Sequence, residues 1–298
     1  MKTIFAKYNR ERLPKYQIVT KIVLDNDGQR YAIKEALCDE AKAHIEDIYS
    51  NYELLKNAYN LNLVKPRKTE NGVMFEMAQG QSLESLLLEC IENNDIINFV
   101  KYIDAFLKLI DGMVSKRGVV FEPCERFKTI FGAWELDEPQ DIIEVANIDL
   151  IFGNIFIDEN EDFAIIDYEW VFDFEVPKSF IVWRSLYIFL QYHKGSVVVA
   201  DFEKIIDGYG FLSKYDYYLK NDSNFYSYVC GRDHGCALNH SAIKTQTIEQ
   251  QSQTISELAA KNISLQDEVI KYAMSRSWAL TRPLRVLMRL LMGVFRGK

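Results

Sequence analysis

No stretch of this 298-residue chain is apolar over the roughly 18 residues that a membrane-spanning helix needs, so no bilayer-crossing segment is expected. The opening residues, Met1-Lys2-Thr3-Ile4-Phe5, run at once into charge and lack the apolar core of a secretory leader. Cysteine is sparse and odd in number. Cys38, Cys90 and Cys124 are scattered, and only Cys230 and Cys236 lie close together, which argues against a disulfide framework. A reducing, cytoplasmic setting is the expectation. A general basic surface is missing too. The net charge is −8, and six cations lie between Arg276 and Lys298 with no acid among them, so the remaining chain carries −14. An acidic body repels phosphate backbones, and no nucleic-acid partner is expected.

What is present is enough for a sizeable core: 48 % hydrophobic and 13 % aromatic residues, with 26 % charged. The length suits a two-lobed enzyme or two domains. Tyr16 to Val23 and Tyr31 to Leu37 are rich in strand formers and flank Asn26-Asp27-Gly28, which reads as a hairpin. Ile45, Ile48, Tyr52 and Leu55 recur at helical spacing across residues 39–59. Leu63-Val64 and Val73 to Met77 read as two further strands around Asn71-Gly72. After Gly80 the pattern turns helical. Ser82 is placed to cap one helix, and Asn98 to Val114 suggests a longer one. Ile155-Phe156-Ile157 and Phe163 to Ile166 form a short hairpin pattern, followed by helical patterns from Pro177 to Tyr192 and Val198 to Tyr209.

The strongest chemical signal lies between Asn147 and Trp170. Asp149 is followed five residues later by Asn154, then by the short hairpin, then by Asp167. Phosphoryl transfer uses such a set. One carboxylate orients the attacking hydroxyl and takes its proton, while an amide oxygen and a second carboxylate hold Mg²⁺ against nucleotide phosphates. Upstream, Ala32-Ile33-Lys34 places a lysine within a strand pattern, and the following helix offers Glu46 and Glu53 as partners.

Asp-x-x-x-x-Asn, a hairpin, and then two apolar residues before Asp resembles the catalytic and metal loops of the protein-kinase-like superfamily. Ile166-Asp167-Tyr168-Glu169 looks more like the metal loop of choline and aminoglycoside kinases. The resemblance implies an α+β, two-lobed fold, with an N-lobe over residues 1–78 and a C-lobe over 79–239. It implies Asp149 as base, Asn154 and Asp167 as Mg²⁺ ligands with Glu169 as an extra acidic group at the metals, and Lys34 on the ATP phosphates with Glu53, whose distance from Lys34 is typical of the family's helix glutamate, as its preferred ion-pair partner. Phe75 to Glu84 resembles the segment linking the lobes of small-molecule kinases, so backbone groups of Glu76, Met77 and Ala78 would meet adenine. Two departures stand out. Tyr8-Asn9-Arg10-Glu11-Arg12-Leu13-Pro14 occupies the place of the glycine-rich loop, where its basic side chains would meet phosphates in place of backbone amides. Asn147 stands where the family has histidine.

YNRERLPKYQ, YEWVFDFEVP and SRSWALTRPLR together look like the kinase module of bacterial O-antigen chain-terminating enzymes. That resemblance implies a glycan or lipid-linked saccharide acceptor and a glycosyltransferase partner. It leaves two alternatives open: a small-molecule kinase, and a non-catalytic scaffold. No methyltransferase motif is present.

Residues 240–277 suggest a stalk. Ile248, Ile255, Asn262 and Val269 share one heptad position, and Gln251, Leu258, Leu265 and Tyr272 the other. A coiled coil, and with it a homo-oligomer, is expected. Residues 278–298 form an amphipathic pattern of Leu284, Leu287, Met288, Leu291 and Phe295 among arginines, which suits peripheral contact with the cytoplasmic face of the inner membrane. Cys230, His234, Cys236 and His240 do not match common structural zinc spacings and read as a hinge.

Overall fold

The computed structural model describes residues 1–193, 205–231 and 261. All of these except Lys261 belong to one compact unit, Met1–His234. The expected stalk apart from Lys261, the tail, and His234, Cys236 and His240 lie outside the described residues. So does most of the helical pattern at 198–209. Among the described residues no helix is long and apolar enough to cross a membrane.

The unit is a mixed α and β fold. It opens with an antiparallel sheet in the order β1-β2-β3-β5-β4, built from Lys2–Tyr8 (β1), Ile18–Leu24 (β2), Arg30–Ala36 (β3), Arg67–Lys68 (β4) and Gly72–Glu76 (β5). The turn between β2 and β3 follows from its residues. Gly28 takes φ +81°, and Asp25 Oδ1 accepts from the Asp27 and Gln29 amides at 2.9 and 2.8 Å. β1 has no counterpart in the sequence expectations. Leu63-Val64, expected as a strand, makes only an isolated parallel bridge from Leu63 to Ile165. The second hairpin begins after Pro66, which has no N–H for a ladder.

Helix α1, Lys42–Ala58, buries His44, Ile45, Ile48, Asn51, Tyr52 and Leu55. Gln81–Ser82 (β6) then leads into α2, Leu83–Glu92, where Ser82 Oγ accepts from the Ser85 amide at 3.2 Å as a helix cap. Asp95 caps α3, Ile96–Asp111, in the same way. Further helices among the described residues include α4 (Glu125–Phe131), α5 (Lys178–His193) and α6 (Tyr215–Cys230). Short strands Lys116–Val119, Gln140–Ile143, Ala146–Asn147, Ile155–Ile157, Phe163–Ile165, Val171–Phe172 and Val176–Pro177 are β7 to β13. Phe99, Phe106, Phe127, Phe131, Phe152, Phe180 and Trp183 form the aromatic heart of the helical part. Each such side chain contributes on the order of 2 kcal/mol by leaving water.

One glycine sets the crossing from sheet to helices. Gly80 has φ +86°, and a Cβ there would lie 2.0 Å from the Ile157 carbonyl oxygen. The segment after β5 therefore presses directly on the β10–β11 hairpin, whose ends carry Asn154 and Asp167.

Candidate active site

The β9–β12 pairing places Asp149. Ala146 and Asn147 pair with Phe172 and Val171, and the Ile148 amide donates to the Trp170 carbonyl at 3.1 Å. Asn147, fully buried, accepts the Asp149 amide on Oδ1 at 3.0 Å and so shapes the turn. Asn154 Nδ2 donates to the Asp149 carbonyl at 2.9 Å, while the Asn154 carbonyl accepts from the Ile166 amide, also at 2.9 Å. These bonds bring Asp149, Asn154 and Asp167 to one end of the hairpin. Asp167 itself sits at φ +53°, an uncommon backbone state for a residue with a side chain and one that recurs at functional positions.

From the sheet comes Lys34, buried. Its Nζ donates to Asp167 Oδ1 at 2.6 Å across 133 residues, and to Glu169 Oε2 at 3.0 Å. Burial alone would lower its pKa, but the two carboxylates raise it above the ordinary lysine value, so the ammonium is fully charged. Glu169 is also buried, and cations surround it. Oε1 meets Arg12 Nη1 and lies 2.9 Å from His44 Nε2. Burial pushes its carboxyl up, but Lys34, His44 and Arg12 outweigh that and hold it well below the usual range.

One expectation is corrected here. Glu53 does not meet Lys34. It lies on the exposed side of α1, and Glu46, seven residues earlier on that side, pairs with Lys68. The counter-ion of Lys34 is Glu169, which α1 braces through His44 and through Asn51, whose Nδ2 donates to the Tyr168 and Glu169 carbonyls at 2.9 and 3.0 Å. Both Glu169 carboxylate oxygens are engaged, Oε2 by Lys34 and Oε1 by Arg12 and His44, so the carboxylate acts here as a counter-ion to Lys34.

Asp149 faces a different cation. Arg184, buried on α5, donates from Nη1 to the Ile148 carbonyl at 2.6 Å and to Asp149 Oδ1 at 3.3 Å, and from Nε to Asp222 Oδ1 on α6 at 2.8 Å. Burial, with Asp167 and Glu169 nearby, pushes the Asp149 carboxyl up to about 7, and Arg184 and Lys34 only partly oppose it. A carboxylate poised there suits general-base work near neutrality. A cavity of about 270 Å³ opens over Asp149, lined on one side by Lys7, Asn9, Glu11 and Arg12 and on the other by Arg184, Tyr192 and Asp222.

Glu76, Met77 and Ala78 line a separate cavity of about 380 Å³ with Arg67 and Asp158, and neither Lys34 nor Asp167 borders it. The sheet register identifies another surface. Phe5, Ile22, Ala32 and Phe75 lie directly opposite one another across four strands, and Lys7, Thr20, Lys34 and Val73 form the next row on the same face. Phe5 is 55 % exposed, so the row that shares the Lys34 face presents uncovered apolar surface at one end.

Sequence reasoning missed Phe5, Ile22, His44, Asn51, Arg184 and Asp222. Arg184 had a signal, a lone charge inside Phe180-Ile181-Val182-Trp183-Arg184-Ser185-Leu186. His44 and Asn51 had one too, as polar residues on the apolar stripe of α1.

The residues present fit Mg²⁺. With Asn154 Nδ2 fixed on a carbonyl, its Oδ1 points the other way, and Asp167, 32 % exposed, has one carboxylate oxygen beyond the one that meets Lys34. Hard oxygens of this kind suit that ion.

No family model matches the chain, and no curated protein matches it. Among solved structures, a macrolide 2'-phosphotransferase type I is similar at 14 % identity, over 74 % of this chain and 84 % of that one, with a TM-score of 0.37.

Proposed function

We propose that the protein transfers the γ-phosphoryl group of ATP to an alcohol, within a two-lobed cleft between the five-stranded sheet and the helical part. The observation that carries this is the meeting of Lys34 with Asp167 and Glu169 beside Asp149, from positions far apart in the chain. In this reading Asp149 accepts the acceptor's proton as its oxygen bonds to the γ-phosphorus and the bridging oxygen leaves with ADP. Arg184 keeps Asp149 oriented. Lys34, fixed by Glu169, holds the phosphates, and the Phe5–Ile22–Ala32 row covers the base. Asn154 and Asp167 would hold Mg²⁺, which supplies positive charge against the phosphate oxygens.

For the acceptor, the reading is the terminal sugar of a lipopolysaccharide O-antigen or related surface glycan. Its support is the sequence resemblance and the mixed lining of the Asp149 cavity, where Glu11 and Asp222 stand with Trp170 and Phe225. A free small alcohol of the choline or aminoglycoside type is the second reading, favoured by the modest 270 Å³ of that cavity. Incubation of the full chain with MgATP and a panel of oligosaccharides, aminoglycosides and amino alcohols, read by mass spectrometry, tests both. A gain of one phosphate on a glycan end supports the first and on a small alcohol the second. Absence of nucleotide turnover with every acceptor would reject the enzyme reading.

A further inference from the structure

The connection between β1 and β2 lies where a nucleotide kinase needs a phosphate cradle, yet residues 9–17 contain no glycine. Backbone amides cannot approach phosphates closely through a loop crowded by side chains. This loop is instead a built support for one guanidinium. Arg12 Nη1 meets Glu169 Oε1 and lies 3.5 Å from the Tyr16 carbonyl. With its amide oxygen turned toward Arg12, buried Asn9 accepts from Nη2 and Nη1 at 3.1 and 3.3 Å. The guanidinium carbon stands 5.7 Å from the centre of the Trp170 ring.

The loop is also clamped from below. The Leu13 amide donates to the Val229 carbonyl at 2.9 Å, taking up one of the free acceptors at the end of α6. The Leu13 side chain fills the space over Gly231, where a Cβ would come within 2.7 Å of it. Pro14 begins a short 3₁₀ turn that continues to Tyr16, and Tyr16 packs edge-on against Trp170 at 5.0 Å. Arg12 is thus held over the Asp149 cavity, which Lys7 also lines, and Lys7 shares the sheet face of Lys34.

We propose that Arg12 is a catalytic residue of this enzyme: it grips the γ-phosphoryl group of the nucleotide as it moves toward the acceptor, replacing the backbone amides of a glycine-rich loop. The proposal rests on the phosphotransferase reading above. Glu169 keeps Lys34 and His44 as partners, so one Arg12 edge can turn to the phosphate without leaving a buried carboxylate unpaired. A guanidinium presents paired donors to phosphate oxygens, which an ammonium cannot.

The test compares binding of the magnesium complexes of ADP and of a non-hydrolysable ATP analogue with an imido β–γ bridge, by calorimetry on the full chain. Wild type should prefer the triphosphate. Arg12→Gln should bind ADP as wild type does and lose the preference by roughly tenfold to a hundredfold, the size of a charge-assisted hydrogen bond. Arg12→Lys should keep the charge and recover part of the preference. It also serves as the readout if the glutamine variant does not fold. An unchanged preference in Arg12→Gln, or full wild-type preference in Arg12→Lys, would overturn the assignment. So would equal loss of both nucleotides, which marks a support for Glu169 and Lys34 only. A wild type that binds ADP and the analogue equally also overturns it, while the phosphotransferase reading survives. No binding of either nucleotide by wild type removes both.

Discussion

Asp149 is held in a state that costs stability. Its carboxyl is raised to about 7, chiefly by burial, against roughly 3.9 in an unfolded chain. Between those values the folded protein binds the proton that the unfolded chain has lost. Stability is therefore fully present at acid pH with respect to this group and declines as pH rises toward 7. Asp149→Asn removes that dependence. The variant should lose phosphoryl transfer by a few orders of magnitude and gain about 1 kcal/mol of stability at pH 8, discounted because the side chain is 18 % exposed. Urea denaturation at pH 5 and pH 8 reads the effect, and equal pH dependence in variant and wild type would contradict it. Asp167→Ala should act differently, abolishing Mg²⁺-stimulated nucleotide binding. Calorimetry with and without Mg²⁺ would reject the ligand role if the variant responds to the ion as wild type does. At this scale much of the site was legible. Asp149, Asn154 and Asp167 obey short spacings, and the hairpin that relates them is local, while Lys34 was legible only as Ala32-Ile33-Lys34 within a strand pattern. The pairing of Lys34 was not legible, because it depends on which face α1 turns inward. Glu46 and Glu53 share the outer side, while the apolar stripe carries His44 and Asn51 inward.

Elements meet around Arg184, which ties α5 to α6 through Asp222 and to the β9–β10 connection through the Ile148 carbonyl and Asp149. Removing this cation would leave Asp222, buried, and Asp149 without the guanidinium they share. Arg184→Met should destabilise the fold by about 3 kcal/mol, and Arg184→Met with Asp222→Leu should recover a good part of that loss. Chemical denaturation of the single and double variants measures the coupling, and additive losses would show that the two residues act independently. α6 eluded the sequence reading because it buries polar groups, Asn221 and Asp222, along with Tyr218 and Phe225, which blurs its periodicity. β1 eluded it for the opposite reason. All seven of its residues are exposed, so no alternation marks an inner face, and only the ladder to β2 defines it. The helices that bury one regular face, α1, α2 and α3, were readable from their periodicity, and β2 and β3 from strand formers flanking Asn26-Asp27-Gly28.

Across the whole molecule, charge is distributed unequally: −14 over the chain up to Ser275 and six cations beyond it. The body that carries Asp149 and Lys34 is compact within Met1–His234. We propose that the remainder serves location and assembly. The heptad from Ile248 to Tyr272 would join copies of the chain, with Asn262 setting register. The arginines among Leu284, Leu287, Met288, Leu291 and Phe295 would hold the enzyme at an anionic membrane surface. Such a helix binds by two contributions that respond differently to conditions. Burial of its apolar face contributes roughly 25 cal/mol per Å² and is insensitive to moderate salt. Attraction of each cation to anionic lipid contributes about 1 kcal/mol near the surface and weakens as salt shortens the Debye length. A chain ending at Asn239 should therefore bind nucleotide as the full chain does, yet sediment as a monomer and stay unbound to vesicles. A chain ending at Ser277 should keep the oligomer and lose the vesicles. In the full chain, Arg285→Glu with Arg289→Glu should reduce flotation on vesicles containing anionic lipid and have little effect on neutral ones. Equal flotation of the full chain and the chain ending at Ser277 would reject a membrane role for the tail, and equal monomeric masses of the chains ending at Asn239 and Ser277 would reject the stalk.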